Sequence, residues 1–92
     1  MADRILTFAL SSELVRAARA LLRWDQRDLA AASSVSLATI KRLESQPGVI
    51  AAHASTLVLL KRAIEDAGID FIEENGGGPG VRLRKRTVKS KK

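Results

Sequence analysis

A short segment of the chain concentrates side chains whose chemistry suits the recognition of DNA. The hydroxyl residues Ser36 and Thr39 are followed closely by the basic pair Lys41 and Arg42. An arginine can donate two parallel hydrogen bonds to guanine O6 and N7, a hydroxyl can bond a base edge, and a lysine pairs with phosphate. These residue types therefore indicate hydrogen bonding to double-stranded DNA rather than catalysis.

Two short amphipathic helices joined by a tight turn are predicted to position these side chains, between Gln26 and Glu44. Asp25 suits the N-cap of the first helix and Ser36 that of the second. Val35 is the apolar residue that would anchor the turn in the core. A short second helix held rigidly by the first can enter the major groove of DNA.

Two further helices flank this pair, so the expected fold is mainly α with four helices. Apolar spacing predicts one helix over about 12–23, capped by Ser11, and another that begins at a Ser55 or Thr56 cap and ends at Ala67. The inward-facing residues expected are Leu14, Ala18, Leu21 and Leu22 in the first helix, and Leu57, Leu60, Ile64 and Ala67 in the last.

After Gly68 the pattern changes from helical to strand-like. Two β-forming segments, 69–73 and 81–84, flank a glycine-rich turn and predict a C-terminal β-hairpin. A lone hairpin is marginal in water, so we expect it to pack on the helices or to pair across a dimer. The expected division is a helix-turn-helix domain over 1–68, a β-hairpin and candidate dimerisation element over 69–84, and a basic disordered tail over 85–92.

The net charge of +6 belongs mostly to the C-terminal end. Residues 82–92 contain seven Lys/Arg and no acids, whereas residues 1–81 contain nine Lys/Arg and ten Asp/Glu. Such an end attracts any polyanion without sequence preference, and it is equally consistent with a solubilising tail. The charge alone therefore does not argue for specific DNA binding.

Several classes of protein are not expected from this composition. With no cysteine and a lone His53 there is no basis for a disulfide framework or a metal site, and no cofactor is expected. No nucleophile and base share a motif, so an enzyme is not expected. No apolar run approaches the roughly 20 residues of a membrane helix, and the first ten residues lack a signal-peptide pattern. The expectation is a cytoplasmic protein without membrane contact.

The segment between Gln26 and Glu44 resembles the lambda-repressor-like (Cro-like, XRE-type) helix-turn-helix family of bacterial and phage regulators. The matching pattern is Gln26-x-x-Leu29-Ala30, then Val35-Ser36-x-x-Thr39-Ile40-x-x-Leu43-Glu44. The resemblance covers residues 12–67, and the family often has glycine where this chain has Ser34. It implies sequence-specific DNA binding through the second helix of the motif.

The resemblance also implies roles for individual residues. The family glutamine that matches Gln26 touches a DNA phosphate, and a helix N-terminus suits that contact. Position on the second helix makes Arg42 the best candidate to read guanine, with Lys41 on phosphate. Alternatively, both lie on a solvated helix face, or Arg42 pairs with Asp28. The residues expected to contact DNA are Gln26, Arg27, Ser36, Leu37, Ala38, Thr39, Lys41 and Arg42.

The expected function is that of a transcriptional regulator, a repressor that acts as a homodimer on double-stranded DNA. A dimer is expected because one small module contacts few base pairs. One alternative is an antitoxin-like autoregulator that also binds a partner protein, through strands added to a sheet edge. The other is a protein-interaction module with the same fold and no DNA binding.

Overall fold

The computed structural model describes residues 9–85, so residues 86–92 of the predicted tail and residues 1–8 lie outside the described part. Within it the chain folds into four α-helices followed by an antiparallel β-hairpin, as the sequence predicts. The elements are α1 (Ser12–Leu22), α2 (Gln26–Ser33), α3 (Leu37–Glu44), α4 (Ala54–Asp66), β1 (Ile69–Ile72) and β2 (Gly80–Leu83).

Helix α1 begins where its cap predicts, and its buried face agrees in part with the predicted one, since Ala18 is buried and Leu22 packs against the core. The Ser11 hydroxyl accepts a hydrogen bond from the Leu14 backbone N–H at 3.1 Å. Val15 and Ala18 are buried, whereas Leu21, predicted to face inward, is 40% exposed. The prediction for Leu21 is wrong because the apolar face of α1 is wider than the stripe that packs in the core, and the neighbouring elements decide which part of it is buried.

The turn between α2 and α3 is built from side-chain caps. Asp25 and Asp28 form a reciprocal capping box at the start of α2, with both hydrogen bonds at 2.9 Å. Ser34 then takes a left-handed conformation with φ of 67°, which explains why glycine also suits this position. Val35 is buried, as predicted, and Ser36 caps α3 through the Thr39 N–H at 3.1 Å.

Helix α4 begins earlier than predicted, at Ala54, which precedes both candidate caps. The N-cap is His53, whose side chain makes no capping hydrogen bond, so the predicted cap at Ser55 or Thr56 is wrong. The N–H groups of Thr56 and Leu57 already donate to the His53 carbonyl at 3.0 and 3.1 Å, which starts the helical ladder earlier. Its buried residues are Leu60, Ala63 and Ile64, and Ala67 is half-buried.

The hairpin packs on the helices of its own chain. β1 lies against α4 and β2 against α1, and Ile69 is fully buried. Arg84 fastens this end, because its backbone N–H donates to Gly68 O at 2.7 Å and its guanidinium donates to the carbonyls of Glu65 and Ile69 at 3.0 and 3.1 Å. The expectation that the hairpin packs on the helices is therefore confirmed, and its pairing across a dimer stays a prediction.

One core unites these elements, and the loop between α3 and α4 is tied to the start of α1. Ser12 N donates to Gly48 O and Ile50 N to Leu10 O, each at 2.9 Å. The buried apolar residues are Leu10, Val15, Ala18, Leu29, Val35, Ile40, Leu43, Ile50, Leu60, Ala63, Ile64 and Ile69. None of the described helices combines the length and the apolar character needed to cross a membrane.

Candidate nucleic-acid interface

Helix α3 has one side in the core and one side in solvent. Ile40, Leu43 and Glu44 are buried. The six predicted contact residues of this helix and its cap occupy the accessible side: Ser36, Ala38, Lys41 and Arg42 are exposed, and Leu37 and Thr39 are half-buried. The structure therefore presents these six residues on one continuous accessible surface.

The two hydroxyls at the start of α3 are bonded to each other. Ser36 Oγ accepts the Thr39 backbone N–H at 3.1 Å and donates its own hydrogen to Thr39 Oγ1 at 2.9 Å. The Ser36 hydroxyl is thus committed to capping. The Thr39 hydroxyl keeps its hydrogen, so it is the donor that remains at this end of the helix.

Lys41 and Arg42 extend from α3 into solvent. Both side chains are exposed, and among residues 9–85 neither forms an ion pair. The Asp28 carboxylate instead accepts the Asp25 backbone N–H. The alternative that Arg42 pairs with Asp28 is therefore not the arrangement observed, and both cations face outward.

The C-terminal end of α3 is locked by a buried carboxylate. Arg19 donates from Nε and Nη2 to the two Glu44 oxygens at 2.8 and 2.7 Å, and the two side chains are only 17% and 4% exposed. Arg16 adds a bond to the Glu44 carbonyl at 2.9 Å, and Arg19 also reaches Trp24 O at 3.0 Å. The hydrogen bonds to Glu44 raise the pKa of Arg19 above its ordinary value.

Arg19 lies outside the apolar stripe predicted for α1, but its side chain is only 17% exposed. Its guanidinium crosses to α3, 25 residues along the chain, and no local pattern reports so distant a partner. The paired charges satisfy each other in a water-poor site, where a lone charge would be costly. Residues Arg19 and Glu44, with Arg16, are here called the Glu44 anchor.

Gln26, the predicted phosphate contact, is bound to the same carboxylate. Its Nε2 donates to Glu44 Oε1 at 3.1 Å, so one amide hydrogen is used inside the protein. Gln26 also lines a groove of about 200 Å³ between α2 and α3, together with Asp25, Arg27, Leu37 and Lys41. The hydrogen bond from the Asp28 N–H lowers the pKa of Asp25, whose carboxylate therefore stays charged beside the two cations.

A second depression on the other side of α3 was not foreseen from the sequence. This cleft has a volume of about 290 Å³ and is lined by Thr39, Arg42, Ala51, Ala52, His53 and Thr56. It brings Arg42 close to the start of α4, where His53 is exposed and its side chain makes no capping bond. The sequence gives no signal for it, because the mostly apolar residues 49–53 before α4 do not reveal which helix they will face.

The described residues offer no centre for metal chemistry. Among residues 9–85 no three His, Asp or Glu side chains gather closely enough to hold a metal ion. A comparison of the chain with protein-family models and with curated proteins finds no match. The geometry around α3 is accordingly the basis for a functional assignment.

Proposed function

We propose that this protein is a sequence-specific DNA-binding transcriptional regulator of the lambda-repressor-like helix-turn-helix type. It acts in the cytoplasm as a homodimeric repressor that inserts α3 into the major groove. The observation that supports the proposal is that α3 has one side fixed in the core and one side accessible to solvent. Glu44 is 6% exposed, whereas Lys41 and Arg42 are exposed on the same helix and form no ion pair with any residue between 9 and 85. A rigid helix with free donors is what base reading requires.

Each accessible side chain of α3 and its N-cap has a role in the proposed contact with DNA. Arg42 reads guanine through O6 and N7, and the Thr39 hydroxyl donates to a base edge. Ala38 permits close approach, and Leu37 contacts a thymine methyl group. Ser36 fixes the start of the helix through its bond to Thr39.

The groove between α2 and α3 supplies the contacts to the DNA backbone. Lys41 and Arg27 are exposed cations that line it, one from α3 and one from α2, together with Gln26. Contacts of this kind set the orientation of a protein on the duplex without reading sequence. A single helix reads only a few base pairs, so two copies on an inverted repeat provide the specificity.

Selection from a random DNA library with the full chain tests this proposal. We expect enrichment of an inverted repeat whose half-sites are about 10 base pairs apart, one turn of the duplex. Absence of binding to any DNA at low salt would contradict the proposal and would favour an interaction module that keeps the fold without DNA binding.

Replacement of Arg42 by Ala on the selected site tests the reading of bases. The expected loss is about 1–3 kcal/mol of binding free energy, with relaxed preference at one base pair. Lys41→Ala is the matched control, because loss of a phosphate contact weakens binding to all sequences alike. If Arg42→Ala weakened binding to random DNA just as much, Arg42 would not read a base.

An antitoxin-like autoregulator is the second candidate, favoured by the exposed end of β2. Among the described residues β2 pairs only with β1, and Leu83 is 54% exposed on it. A strand of a partner protein can add to such an edge. Co-purification of one small protein in fixed stoichiometry, lost on Leu83→Lys, would support this function, whereas a pure homodimer would count against it.

A further inference from the structure

We propose that Glu44 is a positioning residue that orients the amide of Gln26 as a hydrogen-bond donor to a DNA phosphate. The inference rests on the proposed function and adds to it a dependence of the phosphate contact on a residue of the recognition helix itself. Glu44 is the last residue of α3 and Gln26 the first of α2. Their contact therefore joins the helix that reads bases to the helix that holds the backbone.

The chemistry of the two groups sets the orientation of the amide. An ionised carboxylate only accepts hydrogen bonds, so the Gln26 nitrogen, not its oxygen, must face Glu44 Oε1 across the 3.1 Å contact. An amide nitrogen carries two hydrogens in one plane. One is taken by Glu44, and the other has no acceptor among residues 9–85, so it is available to a phosphate. Without Glu44 the amide could present its oxygen, which a phosphate would repel.

The carboxylate that sets this orientation is itself immobile. Arg19 Nη2 holds Glu44 Oε1, the oxygen that Gln26 also contacts, at 2.7 Å, and Arg19 Nε holds Oε2 at 2.8 Å. The Glu44 side chain is 4% exposed, so it has no alternative position in solvent. Gln26 is thus ordered before DNA arrives, and this reduces the entropy lost on binding.

The surroundings of Gln26 fit a phosphate diester. The groove that it lines has Arg27 and Lys41 as cationic walls and a volume of about 200 Å³. A neutral hydrogen-bond donor beside two cations makes the attraction for a phosphate directional, which charge alone does not. The Asp25 carboxylate in the same groove opposes free anions, so the contact needs the duplex to bring the phosphate in.

A scan with single neutral methylphosphonate groups in the selected DNA site tests this inference. For the wild-type chain we expect one position per half-site at which neutralisation weakens binding about tenfold, the size of one hydrogen bond to a charged group. In Gln26→Met, which keeps the length of the side chain, the loss at that position should fall to about twofold, the part that the exposed cations Arg27 and Lys41 contribute. An unchanged loss in this variant would overturn the inference.

The decisive variant replaces the buried pair together, as Arg19→Met with Glu44→Met. Apolar residues of similar volume often replace a buried ion pair without loss of stability. With Gln26 intact but unanchored, the loss at the scanned phosphate should fall to about threefold. Arg16→Met is the matched control, because Arg16 bonds Glu44 at its backbone carbonyl and not at its carboxylate, and it should keep the tenfold loss. A tenfold loss in the double variant would overturn the role of Glu44.

Nuclear magnetic resonance of the wild-type protein gives a second test that needs no variant. We expect the two side-chain amide protons of Gln26 to exchange with water at different rates, since one is bonded to Glu44, and the other to shift when DNA is added. Equal exchange without a shift would overturn the inference. Failure of the proposed function is distinguishable, because the wild-type chain would then bind no DNA before any phosphate was changed.

Discussion

The helical unit, α1 to α3, and the hairpin, β1 with β2, are both fastened by arginine–carboxylate pairs, but in opposite environments. In the first unit Arg19 and Glu44 are 17% and 4% exposed, and the contact is bidentate. In the hairpin Arg84 meets Asp70 at 2.9 Å with side chains 47% and 36% exposed. The same chemistry is therefore placed once in the interior and once at the surface.

The difference in burial between the two pairs indicates which region of the molecule is held more rigidly. A buried pair costs desolvation but restricts the motion of its neighbours, which suits a helix that is proposed to match the spacing of bases. The hairpin is held mainly by Ile69 in the core and by the carbonyls that Arg84 bonds, so its surface pair adds little. Burial of the pair, rather than its presence, should decide how much each region loses on mutation.

Glu44→Ala should have the largest effect. Removal of the Glu44 carboxylate leaves the charge of Arg19 without this partner in a site that is largely closed to water. We therefore expect a loss of about 3–5 kcal/mol in the free energy of unfolding. Urea denaturation followed by circular dichroism measures it. Glu65→Ala is the control, because Glu65 pairs with Lys61 at the surface, and its loss should stay below about 1 kcal/mol. Equal losses for the two variants would remove the distinction between buried and exposed pairs.

Local signals in the sequence predict much of the scaffold that holds α3. Caps at Ser11, Asp25 and Ser36, the burial of Val35 and the existence of the hairpin are all confirmed. Each depends on neighbours within a few residues, where spacing carries the information. The contacts of the eight predicted DNA-binding residues with DNA stay predictions.

Features that depend on partners far apart in the sequence could not be predicted from local patterns. The Glu44 anchor spans 25 and 28 residues of chain, so neither Arg19 nor Arg16 could be distinguished from a solvated arginine. The exposed Leu21 shows the same limit, because the packing of α1 on other elements selects its buried stripe. The cleft beside Arg42 exists only once α3 and the start of α4 have packed.

Gly68→Ala should have the second largest effect, at the junction of α4 with the hairpin. Gly68 has φ of 114°, a conformation that side chains rarely adopt, although a Cβ there would meet no atom within 4 Å. The loss is therefore conformational, about 1–3 kcal/mol, and thermal unfolding measures it. Gly80→Ala in β2 is the control, since a Cβ there makes only an ordinary contact with Ile72 at 3.9 Å. A neutral Gly68→Ala would show that the junction adapts and that the hairpin is less firmly set than α3.

Asp70→Asn should have a small effect, although it removes the acid that Arg84 and Arg82 approach at 2.9 and 3.7 Å. We expect a loss below about 1 kcal/mol, because exposed pairs are screened by water and salt. Urea denaturation at low and at high salt checks this, and the difference from wild type should shrink at high salt. A loss of the size expected for Glu44→Ala would show that the hairpin depends on this pair despite its exposure.

Glu13→Gln tests whether burial or membership of the helical unit decides the loss of stability. Glu13 is an exposed carboxylate inside that unit. It accepts the Gly48 N–H at 3.1 and 3.2 Å and so ties α1 to the loop after α3. Hydrogen bonds from its own backbone N–H and then from Gly48 lower the pKa of Glu13 below its ordinary value of 4.5. A lowered pKa stabilises the fold above pH 4.5, and this contribution disappears as the pH falls through the folded-state value.

Wild type and Glu13→Gln should therefore differ slightly in stability at neutral pH and converge in acid, which urea denaturation from pH 7 to pH 3 measures. The difference should be the smallest of the four, because the carboxylate remains in contact with water. If Glu13→Gln instead destabilised the protein as much as Glu44→Ala, membership of the helical unit would decide the loss, and burial would not.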